Sequence, residues 1–221
     1  MPSSQKSLTS VIVAIDGPAG AGKSTVAKKL AQLLGFEYLD TGAMYRALTL
    51  KALREKLNLE DEDNLVELAH RTKIDLNGQE GSLKVWLDGQ DVSKEIRTIE
   101  VTNQTHFIAR TPRVRQIMVG WQQEISRKKN VVVEGRDTTT VVFPTATYKF
   151  YLDADASERC RRRSDELKEK GESFDTKKLF QEIQDRDHKD KTRTVGALKK
   201  QGMPFPLIPL QCPPIKSFRK C

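Results

Sequence analysis

The sequence predicts an α/β fold of three layers, a central parallel sheet covered by helices on both faces. Three observations predict it. Residues 17–24 read Gly-Pro-Ala-Gly-Ala-Gly-Lys-Ser directly after the apolar run 11–15, the strand–loop–helix form of the G-x-x-x-x-G-K-[ST] phosphate-binding loop. Residues 131–133 are a second unbroken apolar run, and 36–39 and 148–152 are apolar-rich runs interrupted by Glu37 and Lys149, so all three read as further strands. Helical periodicities separate these runs, which is the grammar of a parallel sheet.

The elements follow in order. Residues 11–15 form the first strand. A helix from about Ser24 to Leu34 presents Val26, Ala27, Leu30, Leu33 and Leu34, and Gly35 ends it. Residues 36–39 form a second strand that ends at Asp40-Thr41-Gly42. A long helix is expected over 44–57, with Arg46 in its first turn. The stretch 60–100 reads differently. Residues 65–70 are helical, then 74–76 and 83–87 alternate with period two around turn-rich segments at 77–81 and 88–90. This is a small antiparallel insert on the main sheet. Helical spacing returns over 96–110 and 114–127, broken at Thr111-Pro112. Two more strands, 131–133 and 148–152, end at Glu134-Gly135-Arg136-Asp137 and at Asp153. Two highly charged helices follow over 157–171 and 176–189. The strand ends at 16, 40, 134–137 and 153 gather on one sheet edge, where open α/β folds bind ligands.

The loop names a ligand class. Gly17, Gly20 and Gly22 let the backbone curl so that its N–H groups face one anionic centre. Lys23 adds a point charge for β- and γ-phosphates, and Ser24 offers a hydroxyl to a magnesium ion. The following helix aims its positive dipole end at the same place.

Composition narrows the partners. The chain has 221 residues and a net charge of +8, from 38 Lys and Arg against 30 Asp and Glu. That favours polyanions, either nucleic acid or small phosphorylated molecules. Aromatic residues make up 6%, and no aromatic–basic interleaving of the single-strand-binding kind occurs. Cys160, Cys212 and Cys221 lack metal-ligand spacing and read as free thiols in a reducing compartment. No apolar stretch reaches membrane-spanning length. A cytoplasmic protein is expected, with no membrane or nucleic-acid partner.

A phosphate loop alone does not choose among kinase, GTPase, motor and sulfotransferase. The chain has no Asn-Lys-x-Asp motif for reading guanine, and no apolar strand ending in Asp-Glu of the large ATPases. It has arginines at strand and helix ends instead, where a fork of donors reaches a phosphate. Phosphoryl transfer needs such charge, because catalysis there is mostly positioning and neutralisation. Arg159, Arg161, Arg162 and Arg163 lie on a helix rich in Lys and Glu and read mostly as a solvated face. Arg136 follows a buried strand beside Asp137 and reads as functional.

At this point the residues resemble the bacterial-type cytidylate (CMP) kinases. The segment Ile15-Asp16-Gly17-Pro18-Ala19-Gly20-Ala21-Gly22-Lys23-Ser24-Thr25 is similar to that family's opening. Five further blocks, at 39–46, 92–98, 111–115, 134–144 and 186–193, follow in the family's order. The resemblance spans about 10–198. It implies a P-loop kinase core over 10–59 and 111–200, a nucleoside-monophosphate-binding insert over 60–110 and a helical lid over about 157–195. The implied reaction is ATP plus CMP or dCMP giving ADP plus CDP or dCDP, with magnesium, in a monomer.

The same resemblance implies the roles. Gly17, Pro18, Ala19, Gly20, Ala21, Gly22, Lys23, Ser24 and Thr25 would hold ATP phosphates, with Ser24 on the metal and Arg162 near the donor nucleotide. Thr41, Arg46 and Arg136 would hold the acceptor phosphate. Arg115 and Asp137 would read the cytosine edge, which presents an amino donor and ring acceptors. Arg186 and Asp190 would hold the sugar. Lys23, Arg186 and Arg193 would be catalytic, the two arginines closing over the transferred group. The acceptor is already an anion, so no general base is needed. His106 stands where the family often has a serine at the base. It reads either as a donor there, with Thr105 as substitute, or as a helix-face histidine. Glu134 receives no role. Another small-molecule P-loop kinase, adenylate- or shikimate-type, and a basic nucleic-acid-binding P-loop protein are the alternative functions.

From about Gln201 the resemblance stops. Pro204, Pro206, Pro209, Pro213 and Pro214 forbid a regular helix or a central strand, where the family is expected to have one more strand and a final helix. One hypothesis is a shift of reading frame, because permissible codons in another frame spell a strand ending in Asp-Thr-Thr. The alternative is a proline-rich extension. Resequencing the gene across 199–211 separates them, and a well-supported intact frame excludes the shift.

Overall fold

The computed structural model describes residues 10–79, 82–169, 171 and 173–200. The tail from Gln201 lies outside the described residues. Four parallel strands form the main sheet: β1 (Ile12–Asp16), β2 (Glu37–Asp40), β6 (Val131–Gly135) and β7 (Tyr148–Tyr151), in the order β2-β6-β1-β7. β1 lies between β6 and β7, with Ile15 opposite both Glu134 and Phe150. The strand ends at 16, 40 and 134–137 therefore share one edge, as expected.

The strands form where unbroken β-branched runs can be buried on both faces. Val131, Val132 and Val133 are buried, as are Val13, Ala14 and Ile15. β7 differs. Tyr148 and Phe150 are exposed at this edge of the sheet.

Helix α1 (Lys23–Leu34) starts at Gly22 and ends on Gly35, whose left-handed φ of 66° lets its N–H close on the last turn. Helix α2 (Thr41–Arg54) begins three residues before the expected start. Asp40 ends β2 and also caps α2, accepting from the Ala43 N–H at 2.9 Å. Arg46 is therefore in the second turn, not the first.

The insert comprises α3 (Glu62–His70), the antiparallel strands β3 (Ile74–Gln79), β4 (Ser82–Leu87) and β5 (Gln90–Asp91), and α4 (Ile99–Arg110). Asp88 and Gly89, both with positive φ, make the tight turn between β4 and β5. The helix expected over 96–110 is broken. A 3-10 turn at Glu95–Arg97 precedes Thr98, whose hydroxyl accepts from the Val101 N–H and restarts the helix. Helix α5 (Pro112–Ile125) carries Pro112 in its first turn, where no N–H is needed. One hydrophobic cluster runs through sheet, α2, insert and α5, including Met44, Leu48, Leu65, Val85, Ile108 and Met118.

Two charged helices complete the chain, α6 (Ala156–Glu169) and α7 (Thr176–Thr192). Cys160, Leu167 and Leu179 form a small separate cluster between them. A π-helical turn at Thr138–Val142, unforeseen in the sequence, follows β6.

Candidate active site

The phosphate loop is fixed from below by β7. A Cβ on Gly17 would stand 2.0 Å from the Leu152 carbonyl oxygen, so only glycine lets the two backbones meet. No side chain caps the N-terminus of α1, so its N–H groups remain for an anion. Lys23 is buried, and its Nζ donates to the Pro18 carbonyl at 2.7 Å. Burial, then the charges of Arg136 and Arg186, push its pKa down to about 7. Arg186 on α7 is likewise pushed down, to about 10, by burial and then Arg136. Several cations thus converge in front of the loop.

Ser24 and Thr25 are exposed at the start of α1. Ser24 is near enough to the Glu134 carboxylate, at the end of β6, to lower its pKa slightly. Glu134 is buried and accepts from the Tyr38 hydroxyl. Burial and then the charge of Asp40 raise its pKa. Arg162 bonds Glu158 at 2.8 Å, and its Nη1 lies 3.5 Å from where a Cβ on Gly22 would be. That places it over the loop, in keeping with a donor-side role.

The residues expected on the acceptor side form a second group. The Thr41 hydroxyl donates to the Glu134 carbonyl at 2.8 Å. Arg46 pairs with Asp40 at 3.0 Å. Burial favours the neutral acid at Asp40, but Arg46 and the Ala43 N–H outweigh it and hold its pKa low. Arg136 donates to Asp190 at 2.7 Å, a pair that links the end of β6 to α7. Arg115 is 1% exposed and paired with Asp137. Arg193 approaches Asp137 at 3.5 Å and Asp190 at 3.9 Å. Burial nevertheless leaves the Asp137 pKa raised, with Arg115 and Arg193 opposing it. Gly196 lies against this pair: a Cβ there would be 2.1 Å from Arg115 Nη2.

Unpaired donors point to an occupant. Six buried side-chain polar atoms among the described residues have no hydrogen-bond partner, and four of them are Tyr45 Oη, Arg46 Nε, Arg115 Nε and Arg193 Nη2, the last having only its longer ion-pair approach to Asp137. Stranding four such atoms in one neighbourhood is costly unless a ligand meets them.

The structure thus brings together Lys23, Arg46, Arg115, Arg136, Asp137, Arg186, Asp190 and Arg193. His106 bonds the Asn103 carbonyl at 2.7 Å, and the Thr105 hydroxyl donates to Val101 at 2.6 Å. Both are tied to their own helix. Arg159 corrects the reading of its helix as a solvated face, being 4% exposed and paired with Asp187. Four residues carry no sequence assignment yet belong to the site. Tyr45 stacks under Arg115 at 5.5 Å, and Asp40 anchors Arg46. Asp16 accepts four hydrogen bonds from Thr138 and Thr139. Glu134 lies near Ser24. Asp16, Asp40 and Glu134 had a signal, as carboxylates at strand ends, whereas Tyr45 had none.

A parallel sheet with a phosphate loop at its central strand, facing a second arginine-lined site, defines a phosphotransferase of the P-loop class. The Cytidylate kinase family matches residues 13–204. A cytidylate kinase of Caldanaerobacter subterraneus subsp. tengcongensis is 52% identical over 188 residues, 85% of this chain and 82% of that protein. One of Desulforamulus reducens is 54% identical over 187 residues, 84% of this chain and 83% of its own length. The chain belongs to the cytidylate kinase family. Among solved structures, a shikimate kinase from Acinetobacter baumannii in complex with shikimate gives a TM-score of 0.37 at 17% identity, over 82% of this chain and 78% of that one.

Proposed function

We propose that the protein transfers the γ-phosphoryl group of ATP to CMP or dCMP, releasing ADP and CDP or dCDP. One observation carries the reading: buried cations converge between two sites, with Lys23 and Arg186 both pushed down in pKa by burial and then by the charge of Arg136. A transferring phosphoryl group, with charge spread over its oxygens, is an anion suited to such a cluster.

The loop N–H groups of 17–25 take the donor phosphates, and Lys23 leaves the Pro18 carbonyl to span donor and transferred groups. Thr41, Arg46 and Arg136 hold the acceptor phosphate. Arg115 and Asp137 read the cytosine edge. Arg186 and Asp190 hold the sugar, and Arg186 and Arg193 close over the transferred group. The insert at 60–110 would cover the monophosphate, and α6 and α7 would act as the lid within 157–195.

Magnesium fits these residues. No group of three His, Cys, Asp or Glu side chains gathers for a metal among the described residues. One hydroxyl and one carboxylate are close enough for Ser24 to act on the Glu134 pKa. A sparse protein shell completed by phosphates and water is what magnesium takes. When bound it neutralises phosphate charge, and Ser24 and Glu134 would hold it. No described helix is long and apolar enough to cross a membrane, which agrees with a cytoplasmic enzyme. A monomer is the simplest state for a site built within one chain.

A coupled assay offering ATP with CMP, dCMP, AMP, UMP and shikimate in turn tests the proposal. Turnover must depend on CMP or dCMP. Turnover with AMP or shikimate alone, or tight nucleic-acid binding without CMP-dependent ATP use, rejects it.

A further inference from the structure

We propose that Arg159 and Asp187 form a latch that sets α7 against the phosphate loop, making both positioning residues for phosphoryl transfer. The proposal rests on the reading above in which α7 carries Arg186 and Asp190 to the transferred group.

The Arg159 guanidinium binds three segments at once. Its Nε donates to the Ala154 carbonyl at 3.0 Å, in the turn after β7. Its Nη1 donates to the Ala19 carbonyl of the phosphate loop and to Asp187 Oδ1, both at 3.0 Å. Its Nη2 closes the fork on Asp187 Oδ2. Both residues are buried, so solvent screens the pair little.

Two consequences follow from geometry. A trans peptide points its carbonyl and the next N–H in opposite directions. Holding the Ala19 carbonyl on Arg159 therefore turns the Gly20 N–H away from Arg159, toward the opposite side of the loop. Close packing enforces this, with Arg159 Cβ only 3.4 Å from where a Cβ on Gly20 would be. Asp187 is adjacent to Arg186 and three residues before Asp190 on α7. Fixing Asp187 thus fixes the depth and rotation at which those neighbours reach the site. A planar two-pronged fork is suited to this, and a lysine is not.

The test separates positioning from mere stability. Arg159→Met and Asp187→Leu each strand a buried charge and should lower Tm, whereas the double variant removes both charges and should regain most of it. The latch predicts that the refolded double variant still loses kcat by about 10- to 100-fold and raises KM for ATP more than KM for CMP. Wild-type kcat and KM in a double variant of near wild-type Tm overturns the proposal. Asp187→Asn, which keeps the shape, provides a second reading if the double variant is unstable. It strands the Arg159 charge but keeps one accepting oxygen, so it should lower Tm less than Asp187→Leu while still lowering kcat well below its melting range, and unchanged kcat there also overturns the latch. Arg186→Lys tests the underlying reading: full activity in it removes the role of α7, while loss in it alongside an unaffected latch variant removes only the latch.

Discussion

Replacing Asp16 by asparagine should weaken the fold and loosen the acceptor site together. Asp16 is fully buried at the end of β1. Its Oδ1 accepts from the Thr138 N–H at 2.8 Å and hydroxyl at 2.7 Å, and its Oδ2 from the Thr139 N–H at 2.8 Å and hydroxyl at 2.6 Å. All four groups are donors, so only an ionised carboxylate satisfies them together. An amide keeps one oxygen and turns an NH2 toward a hydroxyl and a backbone N–H. The hydroxyl can rotate to accept, but the N–H cannot. One buried N–H is left without a partner, a cost of about 1–3 kcal/mol. For a chain of this size that lowers Tm by roughly 2–4 °C per kcal/mol. Asp16→Ala strands both N–H groups and should cost about twice as much. Urea unfolding gives the stability change, and KM for CMP reports the loop, because Asp137 and Arg136 directly precede Thr138. A stability change under about 0.5 kcal/mol in Asp16→Asn, the size expected of a neutral surface substitution, would refute the reasoning.

Other outcomes are equally specific. Lys23 has its pKa depressed to about 7 in the unliganded fold, so the folded state binds fewer protons than the unfolded chain between that value and the ordinary lysine range, and stability should rise with pH across that window. Binding of ATP near pH 8 should then take up a large fraction of a proton, seen as calorimetric heats that depend on buffer ionisation and vanish in Lys23→Met; buffer-independent heats in the native protein contradict this. Glu134 has its pKa raised by burial, so the charged form weakens the fold as pH rises through that pKa; Glu134→Gln should raise Tm at pH 8 yet require more magnesium for half-maximal activity, and a lowered Tm counts against it. Arg115→Met leaves buried Asp137 with only its longer pair to Arg193 and should destabilise the fold by up to about 3 kcal/mol, measurable by denaturant unfolding, with a raised KM for CMP. Exchanging 201–221 for the corresponding segment of a relative should raise the melting temperature, and an equal or lower melt argues that the tail carries no deficit.

Most of the fold was legible because its signals are local. Unbroken β-branched runs, the glycine-rich loop and Pro112 each act within a few residues. The errors are local competitions that periodicity does not register. Asp40 serves as both strand end and helix cap, so α2 starts three residues early. Thr98 captures a backbone N–H and splits one apparent helix in two. The site was legible as a set of residues but not as pairings. Nothing in the sequence says that Arg136 meets Asp190, 54 positions away, or that Arg159 differs from Arg161 and Arg163 on the same helix. That difference is geometric: Arg159 faces the phosphate loop, whereas Arg161 pairs at the surface with Glu158 and Asp165.

The pairings show how one chain can hold so many cations in a small space. Three of the arginines expected to meet substrate are each paired with a carboxylate: Arg46 with Asp40, Arg136 with Asp190, and Arg115 with Asp137. Lys23 has no such carboxylate bonded to it. It rests on a neutral carbonyl, and burial, then repulsion by Arg136, lowers its pKa. The ion-paired arginines are thereby preorganised, while the lysine is left to respond to charge. In the proposed reaction a phosphate arriving in front of the loop would raise the Lys23 pKa and draw its Nζ from Pro18. Substrate binding and assembly of the charged centre would then be one event. This is why the proton uptake on binding ATP, more than the loss of activity in any single variant, reports how the site works.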